Sequence, residues 1–342
     1  LASVLQVFLG KNLVKIVVLG TGGTIAGVSQ DLAQDHSYTA AQRPVADLLQ
    51  GVVLPEGCEV LTEQVAQLDS KDMDHATWRQ LLARCRHWLA QDVAGVVITH
   101  GTDTLEETAF FLSQTLTADK PVVLTCAMRP ATSRHADGPQ NLSDALSLVT
   151  QPQARGVLVV CAGEAHLALT VQKVHASRLN AFASPSGPMA VRENGAWIFS
   201  LNQPLSHKEH EEDAIEKRAL ACLTHNTWPR VELVMSHAGA TGAVVDAMLN
   251  ASVAPPLAGL VVAATGNLTV HAALQAALDR ARAKGVAVHL ATRCVWGGVI
   301  QTAVEDFENA FNDVSPLKAR IALLLQCLLS QDGASSAATD RL

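Results

Sequence analysis

The chain has 342 residues, of which 49% are hydrophobic and 17% charged, with a formal net charge of -7. That length and apolar content argue against disorder over most of the chain and leave room for a large domain and a small one. The acidic balance and the lack of a Lys/Arg cluster exclude nucleic acid as a partner. No run of ~18 or more apolar residues reads as a membrane span.

Residues 1–10, LASVLQVFLG, lack a basic n-region and read as an extension, not a signal peptide. Four consecutive apolar residues, Ile16 to Leu19, predict a buried strand of a parallel sheet. They open the stretch IVVLGTGGTIAG, residues 16–27, where glycines allow a tight turn and close approach of another group. Three readings of this turn stand side by side. It is a phosphate cradle, a mount for Thr24 as a nucleophile, or a plain strand-to-loop turn. The cradle needs a helix at the glycines and an acid at the tip of a second strand. Residues 28–42 are instead polar and aperiodic, with Asp35 inside them.

A short helix is predicted at 45–50, a strand at 58–65 and an amphipathic helix at 72–90. A second buried strand at 93–99 runs into His100-Gly101-Thr102-Asp103-Thr104 and then a helix at 105–117. Strands at 121–125 and 156–161 flank a helix at 142–150. Strands alternating with helices predict a doubly wound α/β sheet. Residues 205–230 turn charged and end at Trp228-Pro229, which reads as an interdomain connection. Strands at 231–235, 259–263 and 287–292 and helices at 243–249, 270–284 and 315–329 follow. The expected organisation is a larger N-terminal parallel-sheet domain at 12–204 and a smaller C-terminal flavodoxin/Rossmann-like α/β domain at 231–329. The Ser/Ala-rich tail at 330–342 is expected to fray.

Seven cysteines occur without CxxC or metal spacing, and several lie in apolar runs, so they read as core residues in a reducing compartment, the cytoplasm. The histidines show no HExxH pattern, so neither a metal nor a cofactor is expected. Hydroxyls collect at predicted strand ends: Thr24, Thr102 beside Asp103, and Ser70. A threonine is a poor nucleophile until a base takes its proton. Lys173 is one candidate base. Tyr38, the chain's only tyrosine, stands in the loop after Thr24 and could close over it as a lid. Each has a plainer reading: Lys173 as a surface charge, Tyr38 as loop packing, and Asp103 and Ser70 as helix caps. The missing GxSxG elbow speaks against an α/β-hydrolase.

Taken together, TGGTIAG at 21–27, ITHGTDTLEETAFFL at 98–112, MRP at 128–130, ADGPQNL at 136–142 and GVLVV at 156–160 resemble the bacterial-type L-asparaginase family. The likeness spans residues 16 to about 325. It implies hydrolysis of L-asparagine, with L-glutamine as a variable second substrate, without a cofactor. It also implies that Thr24 is the nucleophile beside Tyr38, that Thr102 groups with Lys173 and Asp103, that Asp103 meets the substrate ammonium, and that Ser70 receives its carboxylate. A homo-oligomer, a dimer of dimers, is implied as well. Lys71 stands where the family commonly has Gln or Glu, and by the resemblance it would sit beside the substrate head and tune the amide preference. Val174 and Leu268 replace a frequent threonine and a usual glycine. Glu305 is the loosely aligned candidate for an acid supplied by a neighbouring chain. A glutaminase-leaning amidohydrolase and a catalytically silent amino-acid-binding protein are the alternatives.

Overall fold

The computed structural model describes residues 13–29, 37–117, 119–200, 209–300 and 314–339. Glu305, most of the loop before Tyr38 and residues 1–12 lie outside them. The described chain falls into two compact units. The first takes the residues up to Ala109 and those from Thr117 to 200; the second takes Phe110–Leu116 and the residues from 209 on.

In the first unit, β1 (Val14–Gly22), β2 (Cys58–Leu68), β3 (Gly95–Thr99), β4 (Val122–Thr125), β5 (Val157–Cys161) and β6 (Glu164–Leu167) are followed by a two-stranded ribbon, β7 (Gln172–Lys173) with β8 (Phe182–Ala183), and then by β9 (Ala190–Glu193) and β10 (Ala196–Phe199). Apart from the ribbon they form one eight-stranded sheet, ordered β10-β9-β6-β5-β4-β3-β1-β2. The strands from β2 to β5 pair in parallel, whereas β6, β9 and β10 add on antiparallel. The parallel part therefore has the order 2-1-3-4-5, which reverses direction between β1 and β3. Open α/β sheets bind ligands at that switch point, outside the carboxyl ends of the strands.

Ile16 to Leu19 are fully buried, as their run of apolar residues predicts. Ile16 and Val18 pack on one face with Val97, Val123 and Leu146. Burial of each such side chain contributes about 1.5–3 kcal/mol, enough to hold β1 centrally while its last residues carry the turn. The helices are α1 (Val45–Leu48), α2 (His75–Leu89), α3 (Leu105–Thr115) and α4 (Gly138–Val149). α2 starts later than position 72 because Asp74 caps it, accepting from the Thr77 amide at 2.8 Å. Trp78, Leu81, Leu82 and Cys85 form its buried stripe. α4 begins before residue 142 because Pro139 fits the first helical turn. Strands β6 to β10 have two to four residues each, too short for periodicity to reveal.

The second unit has a separate parallel sheet of β11 (Arg230–Met235), β12 (Leu257–Ala264) and β13 (Ala287–Thr292), in that order. Its other helices are α5 (Glu209–Thr224), α6 (Ala243–Asn250), α7 (Ala272–Ala283) and α8 (Pro316–Thr339). α5 lies in the stretch read as a connection, and it groups with the second unit. α8 runs to Thr339, into the stretch read as a fraying tail. Leu268 adopts φ +64°, a left-handed conformation that favours glycine. It is nevertheless buried with Leu274 and Leu290, and that burial offsets a backbone cost of about 1–2 kcal/mol.

Candidate active site

Three loops leave the adjacent ends of β2, β1 and β3 and pack backbone against backbone. The Gly23 amide donates to Leu68 O at 2.9 Å, joining the turn after β1 to the end of β2. Gly23 has φ +79°, and a Cβ there would strike the backbone N and Cα of Gly101. A Cβ on Gly101 would in turn strike the Ser70 side chain. Glycine at both positions is thus what lets the Thr24, Ser70 and Thr102 loops converge. Thr21 is committed to structure, its hydroxyl donating to Thr99 O at 2.9 Å.

Thr24 opens a 3-10 turn, Thr24–Ala26, and is only 8% exposed. Its Oγ1 lies 2.7 Å from the Tyr38 hydroxyl. The backbone pairing of Val28 with Thr39 brings the far end of the loop back to that position. The plainer reading of Tyr38, as a wet packing residue, does not account for a direct hydroxyl–hydroxyl contact.

Thr102 is 6% exposed, and Lys173 donates to its Oγ1 at 2.8 Å. The same Nζ lies 2.6 Å from Asp103 Oδ1. Lys173 reaches the site from the ribbon, where β7 pairs Lys173 with Phe182. Its side chain is only 19% exposed, so the surface-charge reading gives way to a hydroxyl–ammonium–carboxylate cluster. The Ser70 hydroxyl is buried and accepts the Asp103 amide at 3.2 Å, which leaves its own proton free to donate. The Asp103 carboxylate is half exposed and engages Lys173 through Oδ1.

Lys71 follows Ser70 in a 3-10 turn, with its side chain 60% exposed. Its ammonium contacts Asp72 at 2.7 Å and Asp69 at 3.3 Å. Hydrogen bonds to Asp72 and then Asp69 push its pKa above the usual lysine value.

Several supporting residues escaped the sequence reading. Thr104 donates its hydroxyl to Ser70 O at 2.7 Å, tying the β2 and β3 loops together. His100 is fully buried, with Nδ1 2.8 Å from Gly101 O. A carbonyl only accepts, so Nδ1 carries a proton. Burial lowers its pKa to about 4, against the weaker opposing effect of the Gly101 carbonyl. Asp137 accepts the Met128 and Arg129 amides, both at 2.9 Å, and fixes the loop after β4. The hydroxyl-rich run THGTDT was the one available signal for Thr104 and His100; Asp137 had none beyond its place in ADGPQNL.

All seven cysteines are free thiols. Burial pushes Cys85 and Cys222 up to about 12, so neither is a nucleophile. Among the described residues no group of His, Cys, Asp and Glu could hold a metal ion, and no helix is long and apolar enough to cross a membrane.

Family models match both units: "Asparaginase, N-terminal" over residues 15–205 and "Glutaminase/Asparaginase C-terminal domain" over residues 230–341. The chain belongs to the bacterial-type L-asparaginase family. Among its relatives, L-asparaginase 2 of Escherichia coli (strain K12) is 34% identical over 341 residues, covering 97% of this chain and 94% of that protein. The glutaminase-asparaginase of Pseudomonas fluorescens biotype A is 32% identical over 331 residues, covering 94% and 88%. The crystal structure of a probable cytoplasmic L-asparaginase from Campylobacter jejuni superposes with a TM-score of 0.81 at 32% identity, covering 92% of this chain and 94% of that one. In this family member the stretches at 21–27 and 98–112 contain the two turns that face each other at the β1/β3 switch point.

Proposed function

We propose that the protein is an L-asparaginase, hydrolysing the side-chain amide of L-asparagine to L-aspartate and ammonia without a cofactor. The observation that carries this reading is the pair of threonine hydroxyls on neighbouring strand ends, one on a phenol and the other on a lysine–aspartate pair. Thr24 Oγ1 attacks the amide carbon while the Tyr38 hydroxyl oxygen accepts its proton and passes its own proton on to the leaving nitrogen. The C–N bond then breaks, ammonia leaves with a proton, and an acyl-threonine remains. Water attacks that ester with Thr102, Lys173 and Asp103 as the proton-handling group, releasing aspartate and restoring Thr24. The Ser70 proton donates to the substrate α-carboxylate. Asp103 Oδ2, on the side away from Lys173, receives the α-ammonium. Lys71, its charge shared with Asp69 and Asp72, adjusts amide preference from the edge of the site.

The relatives named glutaminase-asparaginase favour L-glutamine as a second substrate. Ammonia release measured separately with the two amides tests both readings. Release from L-asparagine supports the assignment, release from L-glutamine alone makes the protein a glutaminase, and none from either makes it a silent binding protein. We further propose a dimer of dimers; light scattering in solution tests the assembly. Seven free thiols, four of them buried, support a cytoplasmic location.

A further inference from the structure

A cavity of about 140 Å³ lies behind the nucleophile turn in the first unit. Its apolar floor is Ile25, Leu48 and Leu142, and its charged lining is Arg43 and Asp47. Gly138 closes one wall, within the ADGPQNL stretch that the proposed chemistry leaves without a role. The walls are fixed by backbone bonds to the Thr24 turn. Arg43 N donates to Ala26 O at 2.9 Å, and Ala131 N donates to Gly27 O at 2.9 Å. A preformed concave site with an apolar body and a few convergent polar groups is the ordinary form of a small-molecule site.

The two charges are not spent on each other. Among the described residues the Arg43 guanidinium has no hydrogen-bond or ion-pair partner. The Asp47 carboxylate has one long contact, from Gln50 Nε2 at 3.5 Å. An unpaired cation and an unpaired anion over one apolar floor match a zwitterion with an aliphatic tail. The volume is close to the ~150 Å³ that accommodates a benzene-sized group, so the tail is short.

We propose that this cavity is a second amino-acid site, taking a free α-amino acid with a short aliphatic side chain. The carboxylate sits on Arg43, the ammonium on Asp47, and the side chain on Ile25, Leu48 and Leu142. Ile25 directly follows Thr24, so the occupant rests against the turn that carries the proposed nucleophile. The binding itself does not depend on the amidase reading.

Titration of the full chain with L-valine by calorimetry, with and without saturating L-aspartate, tests the proposal. The expected result is a single valine per chain, with an affinity that L-aspartate leaves unchanged. Arg43→Gln and Asp47→Asn should each weaken it about tenfold, the usual effect of losing a charge-assisted hydrogen bond. Both variants should keep the wild-type melting temperature and the wild-type rate of ammonia release. Absence of valine binding overturns the proposal. So does equal affinity in wild type and both variants, and so does displacement of valine by L-aspartate with no effect of either substitution, which would put valine in the catalytic site.

Discussion

The Thr24 and Thr102 turns leave neighbouring strands of one sheet, and each presents a threonine under a tenth exposed. Their partners differ in kind. Thr24 meets a phenol that is 37% exposed and lies 14 residues on in the sequence. Thr102 meets an ammonium brought from 71 residues away and held by a carboxylate. The first hydroxyl thus meets a part-exposed phenol, and the second an ion pair carried in part by a two-stranded ribbon. That division suits a reaction in two halves, one served by a phenol and the other by a charged pair.

The largest effects should come from the hydroxyls themselves. Thr24→Ala and Thr102→Val are each expected to lower kcat by about 10⁴-fold or more with the fold intact by circular dichroism, since residues acting as a unit fail together. Near-normal ammonia release in either variant would remove that threonine from the mechanism and break the pairing of the two turns.

Next come the partners. Tyr38→Phe is expected to cost about 10²-fold in kcat with KM little changed, the effect of losing a proton acceptor. Asp103→Asn should raise KM as well, because the proposed mechanism also has Asp103 receive the substrate ammonium. Steady-state kinetics with L-asparagine separate the two, and a pure kcat loss in both variants would deny Asp103 its binding role.

A smaller effect concerns stability and sharpens the contrast from the Thr102 side, where buried His100 anchors Gly101. Its folded pKa, about 4, lies below the ordinary value of 6.5. The unfolded chain therefore takes up the proton first as pH falls. Stability is complete above about pH 6.5, declines through the interval down to pH 4, and levels off below it. The full loss is about 3 kcal/mol. Urea unfolding at pH 7 and at pH 4.5 should show most of that loss in wild type and little of it in His100→Asn. The same pH dependence in both would assign it to other groups.

The smallest effect is expected at Lys71. Its ammonium is exposed and already bound by Asp69 and Asp72, so Lys71→Gln should shift the asparagine-to-glutamine ratio of kcat/KM by no more than about fivefold. An unchanged ratio would take Lys71 out of the specificity set.

Much of this site was legible before any coordinates. Apolar runs marked β1, β3, β4 and β5, because strands buried on both faces leave nothing to alternate. The glycines and threonines after them marked the turns. The residues with no local signature were those whose role is to touch something distant. Thr104 looked like one more polar residue of a helix start until its hydroxyl met Ser70 O, and His100 looked like a turn residue until it proved wholly buried. The strands between β5 and α5 went unread because two to four residues hold less than one clear period.

The sequence by itself determined which segments are buried strands, where the chain must turn tightly, and to which family it belongs. These follow from local composition and residue order. The family resemblance implied that Tyr38 stands by Thr24 and Lys173 by Thr102 and Asp103; the tertiary structure supplied the contacts themselves, and it alone decided that Lys71 spends its charge on Asp69 and Asp72. Such contacts depend on strand order and on backbone approach within a few ångströms. At Gly23 and Gly101, that approach is set by two side chains the sequence leaves out.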